Sequence, residues 1–235
     1  AHAGPKPIWG YESSVGRGDG QTRRSMAQID TVIFDLGGVL AATGRHSDFT
    51  ARFPDADADL VKSILIGDYG ADGDHPWHRM ERGEVARDDL QGLIAPIAAA
   101  EGVHFQGNEF ETLLLNSTYN INHYVLDHIA GLKERGYKTG LLTNGMREFH
   151  DHLVTIVPEE LFDVYIDSAL VGMRKPEPRI FEHTLQELGI TNPAEVVFLD
   201  DFMGNIEGAR AAGMQVIHVG DPRVALEELE AMLHA

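Results

Sequence analysis

Thr31-Val32-Ile33-Phe34-Asp35-Leu36-Gly37-Gly38-Val39-Leu40 joins an apolar run to a carboxylate and a glycine pair. Val32 to Phe34 are β-branched or aromatic, so the run reads as a buried strand that stops at a turn. In an open α/β sheet the carboxyl ends of parallel strands form the crevice where ligands bind. An acid leaving a strand tip there is a candidate nucleophile or metal ligand. The same residues also make an ordinary turn, because Asp bonds its own backbone and Gly accepts positive φ. The decision rests on whether other strand tips bring matching chemistry.

Downstream the chain alternates. Helices are expected over 124–135, 147–157, 177–188, 205–212 and 223–233, and strands over 138–142, 164–167, 196–199 and 215–219. Such alternation implies right-handed βαβ units, hence a parallel sheet with helices on both faces. Between the first strand and this block, residues 45 to about 120 read as helical, with apolar residues at helical spacing over 59–66, 86–100 and 109–119. The expected organisation is an α/β core from 26–44 and 121–235, a helical insertion over 45–120, and a disordered leader over 1–25 outside the fold. Gly16-x-Gly18-x-Gly20 in that leader follows no strand and opens no helix, so it is not a dinucleotide loop.

Of 235 residues 43% are hydrophobic, enough for a substantial core, and no apolar run reaches membrane-spanning length. Cys is absent, which excludes disulfides, thiolate nucleophiles and Cys-ligated metals and fits a cytoplasmic setting. The net charge is -18, and residues 1–25 carry +2 of it, leaving -20 on the remainder. That balance argues against nucleic acid and anionic membranes, which need a basic footprint. An anionic substrate would then need local positive charge from a metal, a lysine or oriented amides.

Three expected strands end in polar residues: the first at Asp35, the second at Thr143-Asn144-Gly145, the third at Asp200-Asp201. In a parallel sheet these tips share one rim. Gly172-Met173-Arg174-Lys175-Pro176 adds a lysine just before a proline that starts a helix. Singly, each piece has a plain reading as a turn, a solvated side chain or helix-capping acids. Together they suit phosphoryl transfer through an aspartyl phosphate. Asp35 attacks phosphorus, Mg²⁺ and the lysine neutralise charge, and a hydroxyl and amide hold the phosphoryl oxygens. Adjacent Asp200 and Asp201 are the most specific piece, because two carboxylates side by side repel unless a cation shares them.

These residues resemble the haloacid dehalogenase superfamily, in the subfamily with a helical cap inserted after the first strand of a Rossmann-like α/β core. The likeness covers about residues 29–220. It is carried by 34–40, Thr143-Asn144, Gly172 through Ile180 and Val197 through Asp201 with Asn205. Residues 162–219 are most similar to phosphatases resembling the N-terminal domain of soluble epoxide hydrolases, and to bacterial sugar-phosphate phosphatases that carry Asp-Leu-Gly. The resemblance implies that Asp35 is the nucleophile and a Mg²⁺ ligand. It implies that Thr143 and Asn144 bind the phosphoryl group and that Lys175 pairs with it and with Asp35. Asp201 would be the direct carboxylate ligand with Asp200 beside it, and Asn205 would support their loop. The implied substrate is a small phosphorylated molecule, and oligomeric state is left open.

The family pattern is Asp-x-Asp, and its second Asp, which handles the leaving-group proton, is here Gly37. A glycine carbonyl still ligates metal, whereas general acid–base help worth roughly 10² to 10⁴ in rate has no source at that position. The readings that follow are a phosphatase with its acid elsewhere, a metal-independent dehalogenase, or a weakly active or non-catalytic binding protein. Retention of the two-carboxylate metal motif favours the phosphatase. Within the insertion, His75, Trp77 and His78 are candidates to replace the acid. Their alternative reading is a packed Trp with surface histidines.

Overall fold

The structure is a computed structural model that describes residues 28–42, 57–105 and 120–234. The expected leader and the helix expected over 109–119 lie outside the described residues. The strands are β1 (Thr31–Phe34), β2 (Ala41–Ala42), β3 (Asn120–Ile121), β4 (Lys138–Thr143), β5 (Val164–Asp167), β6 (Val196–Asp200) and β7 (Gln215–His218). Five of them form one parallel sheet in the order β5-β4-β1-β6-β7. The long apolar strand is therefore the centre of the sheet. Phe34 lies opposite both Leu141 and Leu199, so Asp35 leaves β1 level with the ends of its two neighbours.

Strand alternation sends successive side chains to opposite faces. Val32, Phe34, Val197 and Leu199 pack into one apolar cluster, and Ile33, Leu142 and Phe198 into another. The described helices are α1 (Ala58–Ile66), α2 (Pro76–Glu81), α3 (Arg87–Ala100), α4 (His123–Glu134), α5 (His150–Ile156), α6 (Ser168–Val171), α7 (Pro178–Glu187), α8 (Met203–Ala211) and α9 (Pro222–Leu233). The first face is closed by α4 and α9 through Val125, Ile129, Leu226 and Leu229, the second by α7 and α8 through Ile180, Phe181 and Ala209. The expected α/β fold with helices on both faces is observed.

The inserted helices α1, α2 and α3 bury a separate cluster that includes Val61, Leu65, Met80, Leu90 and Ile94. The chain leaves for them through β2 and returns through β3, and these two short strands pair antiparallel as a stem. Asn122 N–H donates to the Leu40 carbonyl at 2.7 Å just inside the stem. Neither strand was expected from the sequence, since two residues carry no period. α2 lies within the stretch expected to be helical, started by a local cap from His75, whereas α6 was missed, being a single turn capped by Asp167. The helix expected over 147–157 is a 3₁₀ turn, Arg147–Phe149, running into α5.

Candidate functional site

Asp35 ends β1 with its N–H tied to the Leu199 carbonyl at 2.9 Å and its Oδ1 accepting the Leu36 N–H at 2.7 Å. That second bond, to the next residue's amide, fixes the carboxylate over the rim. Lys175 reaches it from the loop before α7. Its Nζ lies 2.7 Å from Asp35 Oδ1, 2.7 Å from Asp200 Oδ2 and 2.9 Å from the Leu142 carbonyl. All three ammonium protons thus have acceptors, and the group is 1% exposed. Burial alone would lower the lysine, but Asp200 and Asp35 outweigh it and hold it above its ordinary value, so it stays charged.

Asp200 is fully buried and its oxygens are well occupied. Oδ1 accepts the Phe202 N–H at 2.7 Å, and the Asn205 amide donates to both oxygens, at 3.1 and 3.0 Å. Asn205, on the first turn of α8, therefore supports the acidic loop. Asn144 lies at the same rim, and its side chain is held by the lysine loop. Its Oδ1 accepts the Lys175 N–H at 2.8 Å and its Nδ2 donates to the Lys175 carbonyl at 2.9 Å. The side-chain amide clamps the lysine's own peptide, so Asn144 orients Lys175. Thr143 ends β4 buried at the same rim, level with Asp167 of β5.

Asp201 is the exposed member of the acidic pair. One oxygen each from Asp35, Asp200 and Asp201 lies within 4.8 Å of the others, and no other group of three such ligands occurs among the described residues. Burial pushes the Asp35 carboxyl up to about 8, against the pull of Lys175, and Asp200 adds to the rise. Burial and the neighbouring Asp200 push Asp201 up to about 6. Three carboxylates facing one ammonium leave an excess of negative charge that a divalent cation relieves. Gly38 makes the approach feasible: at φ +69 it has no Cβ, and a Cβ there would overlap the Asp201 carboxylate. The residues present thus fit a hard divalent cation held by oxygen.

The inserted helices meet this rim through a polar hub absent from the sequence reading. Glu81 Oε2 accepts Arg174 Nε at 2.7 Å, and Oε1 accepts Trp77 Nε1 at 2.8 Å and the Tyr69 hydroxyl at 3.2 Å. Arg174 is fully buried; it also donates to the Ala71 carbonyl at 2.8 Å and sits 5.1 Å over the Tyr69 ring. The Glu81 carbonyl accepts the Ser168 hydroxyl at 2.6 Å, and that hydroxyl accepts the Gly145 N–H at 2.9 Å. The i,i+4 spacing of Trp77 and Glu81 was the one visible signal of this hub.

The histidines sit differently from a surface pair. His75 uses both ring nitrogens on backbone, one toward the Ile64 carbonyl at 3.2 Å and one accepting the Trp77 N–H at 3.2 Å. His78 is 2% exposed, and burial with the nearby Arg174 charge lowers it to about 4. It is a neutral, interior ring at neutral pH.

Residues 29–213 match the haloacid dehalogenase-like hydrolases. Acyl-CoA dehydrogenase family member 10 of Mus musculus is 31% identical over 86% of this chain and 19% of its own length. Bifunctional epoxide hydrolase 2 of Rattus norvegicus is 42% identical over 84% of this chain and 37% of its own length. The chain therefore spans well under half of these relatives. The sesquiterpene phosphatase astK of Aspergillus oryzae is 27% identical over 86% of this chain and 95% of its own. A Bacteroides thetaiotaomicron enzyme of the same family, solved as a magnesium complex, superposes with a TM-score of 0.60 at 24% identity, covering 85% of this chain and 98% of that one.

Proposed function

From the premise that this chain belongs to the haloacid dehalogenase-like hydrolases, we propose that it is a Mg²⁺-dependent phosphatase of a small organic phosphomonoester, acting through an aspartyl phosphate on Asp35. The observation that carries the reading is the buried Lys175 ammonium shared between Asp35 and Asp200, with Asp201 completing an oxygen cluster beside it. A purely structural ion pair needs one carboxylate, not three facing one cation. Relatives named as phosphatases support the same class, and the neighbour's magnesium complex supports the metal.

In this reading Asp35 attacks phosphorus, and the alcohol leaves. Water then cleaves the acyl phosphate and restores the carboxylate. Asp35, the Gly37 carbonyl and Asp201 would hold Mg²⁺, with Asp200 beside it, and the metal would supply charge neutralisation that lets two anions approach. Lys175 adds a compact positive charge next to the nucleophile, held in place by Asn144 and Asp200. The Thr143 hydroxyl is the candidate donor to a phosphoryl oxygen. The inserted helices, 45–120, act as a cap that excludes water and selects the substrate.

The test is phosphate release from a panel of phosphomonoesters, with Mg²⁺ and with chelator, for the wild type and Asp35→Asn. Release that needs metal and vanishes in the variant is expected. A folded protein that releases no phosphate but frees halide from haloacids would replace the phosphatase with a dehalogenase; one that does neither would leave a binding protein.

A further inference from the structure

Gly37 leaves the leaving-group oxygen without a second Asp on its own loop, His75 is occupied by backbone and His78 is buried. One other proton-bearing side chain is built over the rim. Tyr69 lies in the connection between α1 and α2, wedged between the two loops that form the site. Its ring packs edge-on against Phe202, directly after Asp201, at 4.9 Å. Its other side carries the Arg174 guanidinium, directly before Lys175, at 5.1 Å. The neighbouring Gly70 backbone packs closely on Gly204, where a Cβ would lie 3.1 Å from the Gly70 Cα. The hydroxyl donates to Glu81 of the polar hub, and the Asp35 charge reaches it from the rim, adding to the rise that burial and Glu81 cause.

Resting on the phosphatase reading, we propose that Tyr69 is the catalytic residue that protonates the leaving oxygen, with Glu81 and Arg174 as its positioning pair. As the Asp35 oxygen bonds to phosphorus, the bond from phosphorus to the alcohol oxygen breaks, and that oxygen takes its electron pair and the Tyr69 proton. The tyrosinate then accepts a proton from the water that attacks the aspartyl phosphate, so phosphomonoester and water give alcohol and phosphate, and Tyr69 is restored.

The surroundings suit this traffic. At rest the hydroxyl donates to Glu81 at 3.2 Å, the longest of the three bonds that carboxylate accepts. When it turns to the substrate, Trp77 and Arg174 keep Glu81 satisfied, so no buried acceptor is orphaned. Burial and the Glu81 charge push the phenol well above its usual value, and Arg174 opposes them. Such a group stays protonated at neutral pH and so carries a proton for a departing alkoxide.

The proposal is tested by the dependence on leaving group of kcat/KM, which reports only the steps through aspartyl phosphate formation. Tyr69→Phe should lose about 100-fold on an alkyl ester such as glycerol 2-phosphate but stay within about twofold on 4-nitrophenyl phosphate, whose phenolate needs no proton. Glu81→Gln should show a smaller loss of the same selectivity, with thermal unfolding checking that both variants fold. An equal loss on both esters assigns Tyr69 to structure, and no loss on either removes it from the reaction; both results overturn the proposal. A wild type silent on both esters overturns the phosphatase reading itself, and the role of Tyr69 with it.

Discussion

Removing Glu81 strands a fully buried cation. Arg174 is fully buried, and its partners are the Glu81 carboxylate at 2.7 Å, the Ala71 carbonyl at 2.8 Å and the more distant Asp72 at 3.8 Å. A guanidinium does not shed its proton, so Glu81→Ala leaves an uncompensated charge in the interior. Breaking a buried pair from one side costs about 3–5 kcal/mol. At roughly 2–4 °C per kcal/mol for a chain of this size, the melting temperature should fall by about 6–20 °C. Arg174→Met is the contrasting case. It leaves Glu81 with its Trp77 and Tyr69 donors, and a carboxyl escapes by taking a proton, so about 1–3 kcal/mol is expected near pH 8. Burial already drives the Glu81 carboxyl upward, with Arg174 opposing. Without Arg174 the folded state holds a proton that the unfolded chain releases. Stability of that variant is then highest below the unfolded value near 4.5 and falls as pH rises through the folded value. Urea unfolding of both variants at pH 5 and pH 8 checks this. A Glu81→Ala cost below about 1 kcal/mol, or an Arg174→Met cost that equals it and ignores pH, would refute the burial argument.

Two further outcomes follow from single contacts. His78 is lowered by burial from 6.5 to about 4, so the unfolded chain takes up a proton there before the folded protein does; its share of stability, on the order of 3 kcal/mol, is present above pH 6.5 and is lost as pH falls toward 4. His78→Leu should flatten that limb in acid unfolding curves, and an unchanged slope would assign it elsewhere. Gly38→Ala combines a positive φ with a Cβ that overlaps the Asp201 carboxylate, so it should weaken Mg²⁺ binding measured by titration calorimetry and cost about 1–3 kcal/mol of stability; unchanged affinity would separate Gly38 from the metal loop.

The core was legible because its elements are long enough to show a period. β1, β4, β5, β6 and β7, and the helices α4, α7, α8 and α9, fall within about two residues of expectation, as periodic segments should. The acid, hydroxyl and lysine positions were legible for a related reason, since strand tips in a parallel sheet converge whatever lies between them. What the sequence hid is pairing across distance. Asn144 and Lys175 are 31 positions apart, and Glu81 and Arg174 are 93 apart. No local pattern assigns the Asn144 side chain to a lysine's peptide. His78 looked like a surface residue because a histidine on a short helix has no signature of the partner that covers it.

Arg174 and Lys175 are adjacent in sequence, yet one is anchored to the inserted helices and the other to the nucleophile. Asn144 grips the peptide between these functions from both sides of Lys175. Displacing the inserted helices therefore pulls on Arg174, and the strain passes through one residue to the ammonium that partners Asp35. The Ser168 hydroxyl repeats the link on the other flank, bonding Glu81 of the insertion and Gly145 of the strand-tip loop. Two links thus join the inserted helices to the strand-tip loops, and both pass through Glu81. A chain carrying -20 outside its first 25 residues attracts an anion only where such fixed cations are gathered. The contacts that tie the inserted helices to the loop before α7 thus run through Arg174, next to Lys175, the ammonium beside Asp35.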